Sequence, residues 1–155
     1  MDTHLTDRVA IVTGGGQGIG EGIAQKLAAE GSHVVVVDQN KATAEAAASR
    51  IRALGRKALG FQVDVSSWDQ VRTTVDRVAA EFGRVDILVN NAGISPKKDG
   101  RKILVHEIEP DQWDLVMAVN LKGVFHCIKA VAPIMMRQRS GRIVSISSQA
   151  AKIGF

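Results

Sequence analysis

The chain contains no tyrosine and only one cysteine, Cys127, in 155 residues. No phenol is available as an acid, and no internal disulfide can form. A lone thiol fits a reducing cytoplasm. No uninterrupted apolar run reaches the length of a membrane span, and Met1-Asp2-Thr3-His4 is polar, unlike the start of a secretory leader. The four histidines lack metal-ligand spacing and read as surface or helix residues, so no metal site is expected. The net charge of +4 is mild and its basic residues are scattered, which argues against a nucleic-acid face.

What the chain does have is a run of glycines between a strand and a helix, Ile11-Val12-Thr13-Gly14-Gly15-Gly16-Gln17-Gly18-Ile19-Gly20. Residues 8–12 are an apolar strand, and Ile19, Ile23, Ala24 and Leu27 recur at helical spacing. A helix that restarts from glycines presents free backbone N–H groups and the positive end of its dipole, a setting for phosphate. Gly14 allows the tight turn, Gly18 the approach of a ligand and Gly20 close packing of the helix. The next strand, His33-Val34-Val35-Val36-Val37-Asp38, ends in a carboxylate roughly twenty residues beyond the last glycine. A carboxylate there can hold both ribose hydroxyls of an adenosine and repels a 2′-phosphate. Asp38 is also placed to cap the helix that follows Asn40.

Strands and helices alternate along the rest of the chain. Residues 42–54 are helical and closed by Gly55; 57–65 form a third strand; Ser66 or Ser67 caps a helix through Val71, Val75, Val78 and Phe82, which Gly83 ends. A fourth strand at 86–90 runs into Asn91-Ala92-Gly93, and 94–110 is a polar loop with several lysines. A long amphipathic helix spans 111–137, and Gly141 restarts the chain into a fifth strand at 142–148. Continuous apolar strands alternating with helices predict one domain over 1–155, an α/β fold with a doubly wound parallel sheet. Ligands bind such sheets outside the carboxyl ends of the strands, where Gly14, Asp38, Asp64, Asn90, Asn91 and Ser148 all fall. Each also has a plain structural reading: Asp64 as a helix cap, Asn90 as a tie between strands, Asn120 as the mark of a kink, Ser147 and Ser148 as turn residues.

Thr13-Gly14-x-x-x-Gly18-x-Gly20, Asp64-Val65, Asn90-Asn91-Ala92-Gly93, Asn120 and Ile146-Ser147-Ser148 stand in the order and spacing of the short-chain dehydrogenases/reductases. The resemblance covers essentially the whole chain and is nearest to the bacterial 3-oxoacyl-[acyl-carrier-protein] reductase group. It implies a Rossmann sheet, a nicotinamide cofactor and hydride transfer between that cofactor and a ketone or secondary alcohol, a 3-oxoacyl thioester among them. It implies that Ser148 polarises the substrate carbonyl and that Asn120 holds a water in a proton relay. It sets Gly14, Gly16, Gln17, Gly18, Ile19 and Gly20 around the phosphates, Asp64 and Val65 beside adenine, and Asn91 and Gly93 near the cofactor ribose. With Asp38 present and no arginine or lysine in the glycine loop, the expected cofactor is NAD rather than NADP.

The departure from the family is the missing proton donor, a tyrosine followed four residues later by a lysine, both after the serine strand. Residues 152–155 read as mid-loop, so the expectation is a fragment of a longer cytoplasmic enzyme. A truncated, inactive dinucleotide-binding or scaffold protein is the alternative. The 111–137 helix carries Trp113, Val116, Met117, Leu121, Val124, Phe125 and Ile128, more large apolar positions than one sheet face needs. In the family this helix meets its counterpart, which implies a homotetramer.

Overall fold

The four-valine run at residues 34–37, with no polar interruption, is stable only when buried on both faces, and the fold buries it so. A computed structural model describes residues 3–148, so the reading of 152–155 as mid-loop lies outside the described residues. The central sheet is built from β1 (Val9–Thr13), β2 (His33–Asp38), β3 (Ala58–Gln62), β4 (Ile87–Asn90) and β7 (Arg142–Ser145). All are parallel, in the order β3-β2-β1-β4-β7. Helices α1 (Gly18–Ala29), α2 (Lys41–Ala53), α3 (Trp68–Phe82), α4 (Pro110–Met117) and α5 (Gly123–Gln138) connect or cover them.

Alternate residues of the strands feed two cores. Val9, Ile11, Val35, Val37 and Leu88 pack with α3 and α5, through Val71, Val75, Val78, Val131 and Ile134. Ala10, Val12, Val34, Val36 and Val89 pack with the alanines of α1 and α2. Small side chains there let the helices lie close: a Cβ on Gly60 of β3 would come within 2.8 Å of the Ala44 backbone. Fully burying a valine is worth about 1.5–3 kcal/mol, so the strand valines dominate the stability of this sheet.

The sheet is seamed at the ends opposite the carboxyl ends of its strands by Asp86, which is 5% exposed. It accepts a hydrogen bond from Val9 N (2.9 Å) and ion pairs with Arg84 (2.6 Å) and Arg8 (3.2 Å). Burial pushes its pKa up. Hydrogen bonds from Arg84 and Val9 and the charges of both arginines outweigh this, and the group lies below the ordinary carboxylate range.

Several boundaries differ from the sequence reading. The third strand stops at Gln62, with Val63 N making the last bond to β2 at Asp38 O. The fifth strand stops at Ser145. The helical stretch runs Pro110–Gln138 but is divided by a π-helical segment, Ala118–Lys122, with Asn120 at its middle. The polar loop contains a hairpin, β5 (Lys97–Lys98) with β6 (Arg101–Lys102), followed by a short 3₁₀ turn at Val105–Glu107. Arg101 grips Glu107 with two 2.7 Å bonds and pulls the Glu107 pKa down to about 2.

His33 lies in β2, where the sequence placed it, its Nδ1 accepting from Lys57 N at 3.2 Å and its ring against Phe82. One further expectation is corrected. The Pro110–Gln138 helix, 29 residues, is by length and composition long and apolar enough to cross a membrane. Lys122 and Lys129 interrupt the run and hid it in the linear sequence. One stripe of it, His126, Cys127, Val131, Ile134 and Met135, is buried against the rest of the fold. The large apolar positions singled out in the sequence lie elsewhere on its circumference: Trp113, Met117, Leu121 and Phe125 are exposed, and Val116, Val124 and Ile128 partly buried.

Candidate functional site

β1 pairs with β2 on one side and β4 on the other, so the chain leaves the sheet centre in opposite directions and a crevice opens at the carboxyl ends. A cavity of about 380 Å³ fills this crevice. It runs from Asp38 and Gln39, past Asp64 and Val65 and the start of α1, to Asn91, Gly93 and Ile94. Every residue expected around a dinucleotide lines it except Gly16.

Gly16 is buried behind the wall. Its N–H donates to Asp38 Oδ2 at 3.0 Å, and a Cβ on it would lie 2.6 Å from the Thr43 hydroxyl. Asp38 Oδ1 accepts from Asn40 N at 3.0 Å. The helix cap is therefore Asn40, whose side chain accepts from Ala42 N and Thr43 N, and Asp38 instead joins the glycine loop to the β2–α2 turn. Of the other capping expectations, Asp64 fails, its Oδ1 accepting from Ser66 N (2.9 Å) and Ser66 Oγ (2.7 Å), while Ser67 holds the N-cap position of α3 without a side-chain bond.

The glycines divide the labour as their geometry demands. Gly14 (φ +62°) and Gly18 (φ +56°) sit where L side chains strain the backbone. Nothing lies within 4 Å of a Cβ built on Gly18, which borders the cavity. A Cβ on Gly20 would be 2.1 Å from the Gly14 carbonyl and 2.4 Å from Asn91 Nδ2, so only glycine lets α1 start this close to the loop. Gln17 begins α1 without a side-chain cap.

On the β4 side, the Thr13 hydroxyl accepts from Asn91 N and Ala92 N, each at 3.1 Å, and Asn91 Nδ2 donates to the carbonyls of Thr13 and Gly14, also at 3.1 Å. The role of Thr13 was not read from the sequence, although it stands inside the glycine motif. Asn90 ties β4 to β7, donating to Ser145 Oγ at 3.2 Å. Asn120 faces the loop after β4, its Oδ1 accepting from Ile94 N (2.8 Å) and its Nδ2 donating to Ile94 O (2.9 Å). The π-helical turn turns that amide away from its own helix, a local irregularity common at functional sites.

A second cavity, about 810 Å³, shares Ile19, Gly93 and Ile94 with the first and is lined by Asn120 and Ser148. Ile103, Ile108 and Val116 make its apolar wall and Lys102 its charged one. Thus the two expected catalytic residues border one space and the expected cofactor residues another, with a common rim. Among the described residues no group of three His, Cys, Asp or Glu side chains is placed to hold a metal. Cys127 is buried, and burial pushes its thiol up to about 12, so it is no nucleophile.

The comparisons with known proteins agree with this architecture. Over 149 residues the chain is 42% identical to the 3-oxoacyl-[acyl-carrier-protein] reductase of Staphylococcus epidermidis, covering 96% of this chain and 59% of that protein. It is 38% identical over 149 residues to the 2,3-dihydro-2,3-dihydroxybenzoate dehydrogenase of Bacillus subtilis, covering 96% and 55%. The chain thus spans less than two thirds of the length of these relatives. Among solved structures, NAD+-bound xylitol dehydrogenase superimposes with a TM-score of 0.91 at 36% identity, covering 97% of this chain and 56% of that one. A 7α-hydroxysteroid dehydrogenase complexed with NADH and a 7-oxo bile acid gives 0.88 at 33%, covering 97% and 57%. The short chain dehydrogenase family model matches residues 8–155, and on these grounds the chain belongs to that family.

Proposed function

We propose that the complete protein is an oxidoreductase that moves a hydride between NAD and a ketone or secondary alcohol, with a 3-oxoacyl thioester among the candidate substrates. The observation that carries this is that the two cavities share Ile19, Gly93 and Ile94 as a common rim. A long ligand in the first would bring one end to the rim of the space bordered by Asn120 and Ser148. The residues present fit a dinucleotide: an uncapped helix start for the pyrophosphate, open space in front of Gly18, and a carboxylate at the far end for a ribose. Bound there, the nicotinamide would supply or accept the hydride.

This chain's own residues then orient and polarise. Ser148 Oγ donates to the substrate oxygen as charge grows on it, and Asn120 holds the 91–94 loop at the rim. Asp38 excludes a 2′-phosphate. Like charges a few Å apart and partly shielded from water cost on the order of 1–4 kcal/mol, a preference of roughly ten- to several-hundred-fold for NAD. The relatives described with NAD+ and NADH support this choice. Residues 1–155 contain no tyrosine to act as the acid, and general acid catalysis is typically worth 10²–10⁴-fold. The second reading, a dinucleotide-binding or scaffold protein without turnover, rests on the dinucleotide fit of the first cavity alone. We also propose a cytoplasmic homotetramer, supported by the exposed Trp113, Leu121 and Phe125 on one long helix.

Titrating NAD and NADP against the complete protein, with NADH absorbance followed over a panel of ketones, tests these points. NAD should bind at least tenfold more tightly, Asp38→Ser should narrow the gap, and ketones should be reduced. Equal or tighter NADP binding removes the Asp38 argument. Tight NAD binding with no turnover of any ketone favours the second reading.

A further inference from the structure

Val65 makes part of the cavity wall next to Asp64, at the same end as Asp38 and Gln39. Two elements distant in sequence hold it. A Cβ on Gly123, at the start of α5, would stand 2.7 Å from Val65 Cγ2, so that helix begins against the Val65 side chain. One turn later His126, 5% exposed, donates from Nδ1 to the Val65 carbonyl at 3.0 Å. The carbonyl accepts only, which sets the proton on Nδ1. The ring is fixed in turn by Trp68 at the start of α3 (centroids 5.8 Å) and by Phe125 (5.9 Å), with the Lys129 ammonium 4.5 Å from the Trp68 ring and 5.7 Å from Phe125. From the α3 side, Gln70 Oε1 accepts from Asp64 N at 2.9 Å.

We infer that His126 is a positioning residue for the adenosine half of the dinucleotide: by anchoring the Val65 carbonyl it sets the wall on which that half rests, before any ligand arrives. This rests on the nucleotide reading of the cavity. A buried imidazole on a helix face that otherwise carries Cys127, Val131 and Ile134 is costly unless bonded, and its bond goes to the cavity wall. Without it the carbonyl loses its partner and the 64–66 segment shifts, so cofactor affinity falls while the reacting end keeps its geometry.

The test uses the complete protein, His126→Leu and His126→Asn, whose amide nitrogen takes the place of Nδ1. ADP-ribose serves as the adenosine probe, and reduced nicotinamide mononucleotide as a hydride donor lacking that half. His126→Leu should bind ADP-ribose roughly three- to tenfold more weakly and raise the KM for NADH alike, with kcat little changed. Kinetics with the mononucleotide should not change, and His126→Asn should restore binding. Unchanged ADP-ribose binding in His126→Leu overturns the inference, as does an equal loss with both probes or an Asn variant as impaired as the Leu one. If His126→Leu does not fold, His126→Gln, with its amide one methylene out of place, should show the same selective loss, and its absence overturns the inference as well. A wild-type protein that binds neither ADP-ribose nor NAD removes the nucleotide reading itself.

Discussion

The two flanks of the sheet are finished to different degrees. On the β3-β2-β1 flank all five residues of β1 are buried and the middle four of β2 are buried, closed in by α1, α2 and α3. On the β4-β7 flank all four residues of β7 are exposed, Ile143 by 40% and Val144 by 49%, and α4–α5 turn Trp113, Leu121 and Phe125 outward. The first cavity belongs mainly to the first flank, and the Asn120–Ser148 cavity to the second. The expected cofactor residues therefore sit at the ends of the buried strands β1 and β2, whereas the Asn120–Ser148 side is edged by surface that is still apolar and open.

The comparison breaks most sharply at Gly20. Gly20→Val drives a methyl-bearing side chain into the Gly14 carbonyl, and should weaken NAD at least about a hundredfold and cost about 1–3 kcal/mol of stability. Gly22, two residues on, has nothing within 4 Å of a Cβ, so Gly22→Ala should be neutral or stabilise by up to about 1 kcal/mol. Calorimetric titration and urea unfolding on the pair separate packing from propensity; equal effects would mean that the covered flank is less rigid than described.

Asp86 joins the two flanks, since it sits before β4 and holds the start of β1. Asp86→Asn should cost about 1.5–3 kcal/mol in denaturant unfolding, the loss of charge-assisted bonds to Arg8 and Arg84. Because its carboxyl is depressed in the fold, its contribution is present above the unfolded pKa of about 3.9 and is lost as pH falls through the lower folded value. The wild type should thus lose stability more steeply below about pH 4 than Asp86→Asn does. Identical acid limbs would place the seam elsewhere.

On the open flank, Trp113→Ser and Leu121→Ser should change monomer stability by less than about 0.5 kcal/mol, because these side chains face outward. If the face is where copies of the complete protein meet, light scattering should nonetheless register dissociation. A monomeric wild type at micromolar concentration refutes that assembly. The smallest effect belongs to Cys127. With its pKa near 12 and the residue buried, the folded protein should resist thiol reagents at neutral pH and react only on unfolding.

The elements at the carboxyl ends of the strands were legible because two local rules coincide there. Buried parallel strands must be continuous apolar runs, and the residues that interrupt them, Gly14, Asp38, Asp64, Asn91 and Ser148, have no place in a strand interior. The turn at Gly83 was legible because a glycine stops a helix, whereas the break around Asn120, whose amide bonds Ile94 and not its own backbone, has its reason in a residue 26 positions away.

The sequence by itself determined the alternation of strands and helices, the family, and the clustering of unusual residues at the carboxyl ends of the strands. All three follow from short-range patterns of apolarity and from glycines that no other residue can replace. The tertiary structure alone decided the pairings across that crevice. Asp38 holds Gly16 N, Asn120 holds Ile94, and His126 holds Val65 across 61 positions. Hydrogen bonds between residues so far apart leave no periodicity in the chain. They exist only once the strand order β3-β2-β1-β4-β7 has brought the partners within 3 Å of each other.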